Sequence, residues 1–338
     1  MKKRVVLSGY FGFKNFGDEA ILSVLVQKLK QYGHTITVIS SDPEYTISKF
    51  KHIRSVYTFK IFDIIGAISK SDILISGGGS LLQDTTSLKS LIYYLGVIFL
   101  TLISGKKVII FAQGIGPINN PLGRFMTRLL LKYCAYVSVR DTKSQAILQK
   151  WGIDAQLLCD PVFSTLIKPM PKTKAVAVQL RNCKKMNGDF IDRLAHKISK
   201  EFPDYNIEIY PFQKTLDTEV SKRFEKALNL LNSDIKTKLY EDLTDQEIIN
   251  NISRCEYMAA MRLHAIIIGL LARTKTLAIN YDIKIEKIAS EFNLPLIDLS
   301  KDFKDSFKKL KNIDLDNITE KVRTKSFDWT GFEKVINQ

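Results

Sequence analysis

The sequence predicts an α/β protein built of two Rossmann-like halves facing across a cleft. Short β-rich runs alternate with longer amphipathic runs from the first residue to about residue 300, the pattern of parallel sheets covered by helices on both faces. The alternation stops once, at 167–174 (IKPMPKTK), where two prolines stand among polar residues as in an inter-domain linker, and then restarts. A length of 338 residues gives each half enough chain for a core of its own.

In order, the first half reads as strands at 4–8, 35–39, 72–76, 107–112, 136–139 and 156–158. Helical runs fall between them near 18–32, 60–70, 88–104, 121–134 and 141–151. The second half reads as strands near 175–179, 206–210, 235–239, 257–260, 276–279 and 296–298, again separated by helices. The expected domains are therefore 1–166 and 175–325. Residues 326–338 form a last helix, whose Phe327, Trp329 and Phe332 are expected to pack back onto the body.

Composition narrows the class further. With 45% hydrophobic and 25% charged residues the chain is neither disordered nor a disulfide scaffold. Its net charge of +15 is uneven: residues 1–150 carry 20 basic and 8 acidic side chains, whereas the remainder carries 30 and 27. The first half is thus expected to meet an anionic partner. No RNA-binding signature is present, so nucleic acid is not that partner. Cys134, Cys159, Cys183 and Cys255 are far apart with no CxxC, which predicts no zinc site and no disulfide framework. No metal or cofactor is expected. The amino-terminal apolar run is too short for a secretion signal and reads as a strand, so a cytoplasmic protein is expected. The apolar stretch 91–103 is shorter than the roughly 18 residues of a membrane span and reads as a buried or interfacial helix.

Open α/β sheets bind ligands beyond the carboxyl ends of their strands, and every motif here falls on such a loop. The first, 9–19 (GYFGFKNFGDE), opens a helix but lacks GxGxxG spacing and places Asp18 and Glu19 where a pyrophosphate would approach. Asp18 either caps that helix or contacts a sugar hydroxyl. Ser76-Gly77-Gly78-Gly79-Ser80 and the loop 113–117 that starts at Gln113 offer a floor of backbone donors. Arg140, leaving its strand before Asp141, is expected to bind an anion, the alternative being a surface pair with Asp141. Arg181 stands in the same position after the first strand of the second half. The strongest constellation is Met261-Arg262-Leu263-His264, at a strand-to-helix junction. There a histidine suited to proton transfer lies two residues from an arginine, the alternative being a histidine packed over an apolar helix. Lys284, on a further strand-end loop, completes an expected anion cage of Arg140, Arg181, Arg262 and Lys284 around His264.

Taken in order, LSGYFGFKNFGDEAI, ISGGGSLLQD, AQGIGP, VSVRD, CDPVF, QLR at 179–181, MRLHA at 261–265 and INYDIK at 279–284 resemble the polysaccharide pyruvyl transferase family, and within it the CsaB-type enzymes of bacterial cell-wall modification. The resemblance implies a GT-B-like fold, phosphoenolpyruvate as donor, and as acceptor an undecaprenyl-diphosphate-linked disaccharide bearing N-acetylmannosamine. The product implied is a 4,6-pyruvate ketal on a secondary cell-wall polymer, recognised in S-layer anchoring. It also implies catalytic roles for His264, Arg262, Lys284 and Arg140, with the donor held by Arg181, Arg262, Leu263 and Lys284. The acceptor falls to Asp18, Glu19, Gly78, Gly79 and Gln113 in the first domain. The loop 210–213 departs from the polar form the family suggests, which leaves Gln213 and Asp217 open as ligand contacts. The excess positive charge of the first half, including Lys106, Lys107, Arg124, Arg128 and Lys132, suggests a protein peripheral to an anionic inner membrane leaflet. A GT-B nucleotide-sugar glycosyltransferase of cell-surface polysaccharide synthesis is the alternative reading.

Overall fold

A computed structural model describes residues 2–338 except 86, 184, 185, 187, 232, 233 and 304. The chain forms two compact units, Met1–Ser164 with Ser326–Gln338, and Thr165–Lys325. The first unit runs β1 (Arg4–Ser8), α1 (Phe16–Gln31), β2 (Thr35–Ser40), α2 (Pro43–Lys49), β3 (Arg54–Tyr57), α3 (Ile61–Ser69), β4 (Ile73–Gly77) and α4 (Leu88–Ile103). It continues with β5 (Lys107–Gln113), α5 (Pro121–Leu131), β6 (Tyr136–Val139), α6 (Thr142–Lys150), β7 (Gln156–Leu157) and a 3-10 turn at Pro161–Ser164.

Its seven strands form one parallel sheet in the order β3-β2-β1-β4-β5-β6-β7. Helices on both faces require central strands that are apolar throughout, which explains why all five residues of β4 and all but the first of β5 are buried. Between β1 and β4 the strand order reverses. The connections on either side leave in opposite directions there, which opens a crevice at the carboxyl edge. The loops 9–15 and 78–80 end at that point, with Leu7 opposite Ile75 and Ser8 opposite Ser76.

The second unit repeats the plan with β8 (Thr173–Gln179), α7 (Gly188–Glu201), β9 (Asn206–Ile209), α8 (Lys214–Leu231), β10 (Thr237–Leu239), α9 (Asp245–Arg254) and β11 (Cys255–Ala260). Then follow α10 (Leu263–Leu271), β12 (Lys275–Asn280), α11 (Ile283–Glu291), β13 (Leu296–Asp298), α12 (Ser306–Lys311) and α13 (Leu315–Thr324). The parallel order is β10-β9-β8-β11-β12-β13, so the reversal lies between β8 and β11. Ala260 is registered against Gln179 on one side and Ala278 on the other, which brings the ends of three strands together.

Two elements escape the sequence pattern. The strand β3 is a short edge strand whose residues are half-buried or exposed, so it lacks a run of apolar residues. The helix α2 has seven residues and one buried side chain, too little for a helical period, and is specified instead by its Asp42 cap and Pro43. Thr173 and Lys174, read from sequence as linker, are the first two residues of β8.

The last helix, α14 (Thr330–Asn337), belongs to the first unit. Phe111 of β5 lies between Phe327, Trp329 and Phe332, with ring centroids 5.3, 5.5 and 5.3 Å away. Lys28 reaches Glu333 of α14 at 2.8 Å. The carboxyl-terminal segment thus closes an aromatic core of the first unit. Phe332, fully buried, is the central test: Phe332→Ala is expected to cost about 3–5 kcal/mol. In urea melts the loss should appear in the transition of the first unit and leave that of the second in place.

Candidate active site

The second unit holds the more developed site. Three strand ends, those of β8, β11 and β12, lie side by side, and each bears a residue singled out from sequence: Arg181, Arg262 with His264, and Lys284. Arg262 occupies the cap position before α10 in extended conformation and leaves its side chain out of capping. Its guanidinium turns inward to Asp217 of α8. Nε and Nη2 donate to the two carboxylate oxygens at 2.7 Å each, a bidentate pair. The side chains are 10% and 0% exposed. Nη2 also donates to Gln213 Oε1 at 3.1 Å, and the Arg262 amide donates to Gln179 Oε1 at 2.7 Å. The Gln213 amide donates to Asp217 at 3.0 Å.

This network fixes the backbone from which His264 projects. Gln179 ends β8, and its carbonyl accepts the Met261 amide at 3.0 Å. Its side chain accepts the next amide, so the β11–α10 junction is sewn to β8 at consecutive residues. Leu263 and His264 follow as the first two residues of α10, both half-buried, at the end of a helix where backbone N–H groups favour anions.

Arg181 is held differently. Its Nη1 donates to the Tyr281 hydroxyl at 3.0 Å, and the guanidinium lies 5.0 Å from the centre of that ring. Its side-chain partner among the described residues is therefore neutral. Asp282 caps α11 by accepting the Lys284 amide at 3.0 Å, which places Lys284, exposed, in the first turn of that helix.

The first unit repeats the buried pair. Arg140 Nη1 donates to Asp160 Oδ2 at 2.7 Å, with 9% and 6% of the side chains exposed, and Nη2 donates to Ser80 at 3.2 Å. Asp141, the alternative partner of Arg140 and a residue suited to cap the helix that follows, does cap α6, accepting the Ser144 amide at 2.9 Å. Arg140 thus ties the loops after β4 and β6 to the segment carrying CDPVF.

At the reversal between β1 and β4, the cap of α1 is Asn15 and not Asp18. Asn15 Nδ2 donates to Asp18 Oδ2 at 2.6 Å. The other oxygen of Asp18 faces Gly79, where a Cβ would lie 2.7 Å from Oδ1. Gly79 has φ +64° and Gly78 φ +91°, so the backbone favours glycine at both, and at Gly79 Asp18 also closes the space. Two expected acceptor contacts are interior residues. Glu19 accepts the Gly12 amide at 2.7 Å and Lys49 at 3.1 Å, with its side chain 1% exposed. Gln113 is fully buried and donates to Ser76 Oγ at 2.9 Å. Both hold the loops in place from inside the protein and present no surface for a sugar to touch.

Sequence reasoning missed the carboxylate partners of the arginines. Asp160 was visible as part of the CDPVF run, but nothing in its spacing pointed to Arg140. Asp217, left open as a ligand contact, is the counter-ion of Arg262.

The two parallel sheets with their flanking helices make an α/β fold of GT-B-like architecture. UDP-GlcNAc 2-epimerase of Methanocaldococcus jannaschii is similar at 11% identity and TM-score 0.64, covering 100% of this chain and 99% of that one. The Neisseria meningitidis UDP-GlcNAc 2-epimerase bound to UDP-GlcNAc is similar at 12% identity and TM-score 0.60, covering 100% of both. A glycosyltransferase of Rickettsia africae ESF-5 is similar at 14% and 0.61, covering 99% and 94%. At such identities the likeness is one of fold. No curated protein sequence matches the chain. The model of the polysaccharide pyruvyl transferase family matches residues 15–283, and the chain belongs to that family.

A buried pair broken on one side leaves a charge without its partner, at a cost of about 3–5 kcal/mol. Asp217→Ala is therefore expected to destabilise the second unit by that amount in urea melts and to abolish turnover. The double variant Asp217→Leu/Arg262→Met should recover most of the stability and none of the activity.

Proposed function

We propose that the protein is a phosphoenolpyruvate-dependent, ketal-forming pyruvyltransferase of the CsaB type. The observation that carries this reading is the seating of His264 at the amino end of α10, two residues after the pinned Arg262 and beside the strand ends bearing Arg181 and Lys284. A donor with a carboxylate and a phosphate needs such a cationic surround, and its methylene carbon needs an acid.

In the proposed reaction, protonated His264 gives its proton to the methylene carbon, and the central carbon becomes cationic. One sugar hydroxyl attacks that carbon and returns its proton to His264. Phosphate then departs with the C–O bond pair, and the second hydroxyl closes the ketal, its proton leaving with inorganic phosphate. Phosphoenolpyruvate and a diol thus give a ketal and phosphate, with no redox change and no cofactor required by the balance. Arg181 and Lys284 hold the anionic groups of the donor. Leu263 contributes its backbone amide at the helix end. Arg262, neutralised by Asp217, acts as a hydrogen-bond donor through Nη1, for which the hydrogen bonds described above leave room.

The acceptor belongs to the first unit, where Asp18 against Gly78 and Gly79 forms the polar floor and Arg140, paired to Asp160, holds that floor in shape. Glu19 and Gln113 support it from within. The acceptor proposed is an undecaprenyl-diphosphate-linked disaccharide carrying N-acetylmannosamine, modified at O4 and O6 for secondary cell-wall polymers that anchor an S-layer. Action on such a lipid places the protein in the cytoplasm, peripheral to the plasma membrane.

General acid catalysis contributes on the order of 10²–10⁴ in rate. His264→Ala should lower phosphate release from phosphoenolpyruvate in the presence of acceptor by that factor, with an unchanged melting temperature. Near-normal pyruvylation by this variant, read by mass spectrometry of the product, would remove His264 from the mechanism. Turnover of a nucleotide sugar with no use of phosphoenolpyruvate would instead establish a glycosyltransferase.

A further inference from the structure

Among the described residues, twenty large apolar side chains are exposed, and ten of them stand on three of the fourteen α-helices. These are α3, α4 and α5, with α4 packed between the other two. Phe62 of α3 is 84% exposed, Phe125 of α5 60% and Ile92 of α4 59%. On α4 the exposed positions Leu88, Ile92, Phe99 and Ile103 follow a helical stripe, while the opposite side of the helix enters the core. Stable monomers seldom present such concentrated apolar surface without a use for it.

The charges around it are nearly all of one sign. Residues 60–70, 88–107 and 121–133 contain eight Lys or Arg and one acid, Asp63. Lys60, Lys89, Arg128 and Lys132 are exposed alongside the apolar side chains. No helix among the described residues is long and apolar enough to cross a membrane. A second copy of the chain fits poorly, since a self-complementary contact would set these cations against one another.

We infer that the α3–α4–α5 face of the first unit is a membrane-docking surface that inserts Phe62, Ile92 and Phe125 into the headgroup region while its Lys and Arg meet anionic phospholipid. Apolar side chains of interfacial helices enter about 5–10 Å, and basic residues beside them draw the helix to anionic lipid. The inference deepens the reading of a lipid-linked acceptor and rests on it for its purpose. Its physical basis is the surface itself.

The test is co-sedimentation of the full chain with phosphatidylcholine vesicles, with and without phosphatidylglycerol, at low and high salt. Binding is expected on the anionic vesicles, weaker by at least about tenfold on the neutral ones, and reduced by salt. Phe62→Ser/Phe125→Ser should weaken binding by about tenfold or more, with the melting temperature and the turnover of a water-soluble acceptor unchanged. Vesicle binding as expected, together with no use of phosphoenolpyruvate, would uphold the surface and overturn the pyruvyltransferase reading. Equal binding by the double variant, or salt-insensitive binding to neutral vesicles, would overturn the inference. So would a solution dimer that the double variant dissociates.

Discussion

The ion pair between Arg262 and Asp217 is the constraint on which the second unit's site depends. Removing two charges from water is costly, and the cost is offset here by bidentate geometry and by further hydrogen bonds, from Arg262 Nη2 to Gln213, from the Gln213 amide to Asp217 and from the Arg262 amide to Gln179. The pair joins α8 to the β11–α10 junction, which the sheet already holds beside the end of β8. A rigid junction is what a histidine at a helix end needs if its ring is to meet a donor in one orientation.

The first unit solves the same problem with Arg140 and Asp160, which tie the loops after β4 and β6. In both units an arginine leaves a strand at the carboxyl edge, turns onto a buried aspartate and fixes a loop. The pairing decides where net charge remains. Two of the three strand-end arginines are paired with buried aspartates. Arg181 has the neutral Tyr281 as its side-chain partner among the described residues. The surplus cations of the first half, by contrast, are mostly exposed and give that unit its electrostatic character.

Much of this was legible in the sequence because parallel sheets write themselves as short apolar runs. The strands at 136–139 and 296–298 were readable to the residue, and every motif fell on a strand-end loop, since Gly-rich turns and strand-to-helix junctions are local features. Partner choice was not local. Asp217 lies 45 residues from Arg262, and Asp160 lies 20 from Arg140, distances that spacing rules cannot bridge. Asp18 and Glu19 look alike as a sequence pair, yet one faces Gly79 and the other is swallowed by Gly12 and Lys49. Helix rotation separates them by about 100°, and only the packed structure says which side is interior. The edge elements α2 and β3 were lost for lack of a buried face.

In the proposed reaction the second unit binds the anionic donor through Arg181, whose side-chain partner among the described residues is the neutral Tyr281. Calorimetric titration of phosphoenolpyruvate into the Arg181→Gln variant tests it most directly. Loss of a charge-assisted contact of this kind predicts affinity lower by on the order of 10- to 100-fold, with the fold intact. An affinity equal to that of the unaltered protein would contradict the account.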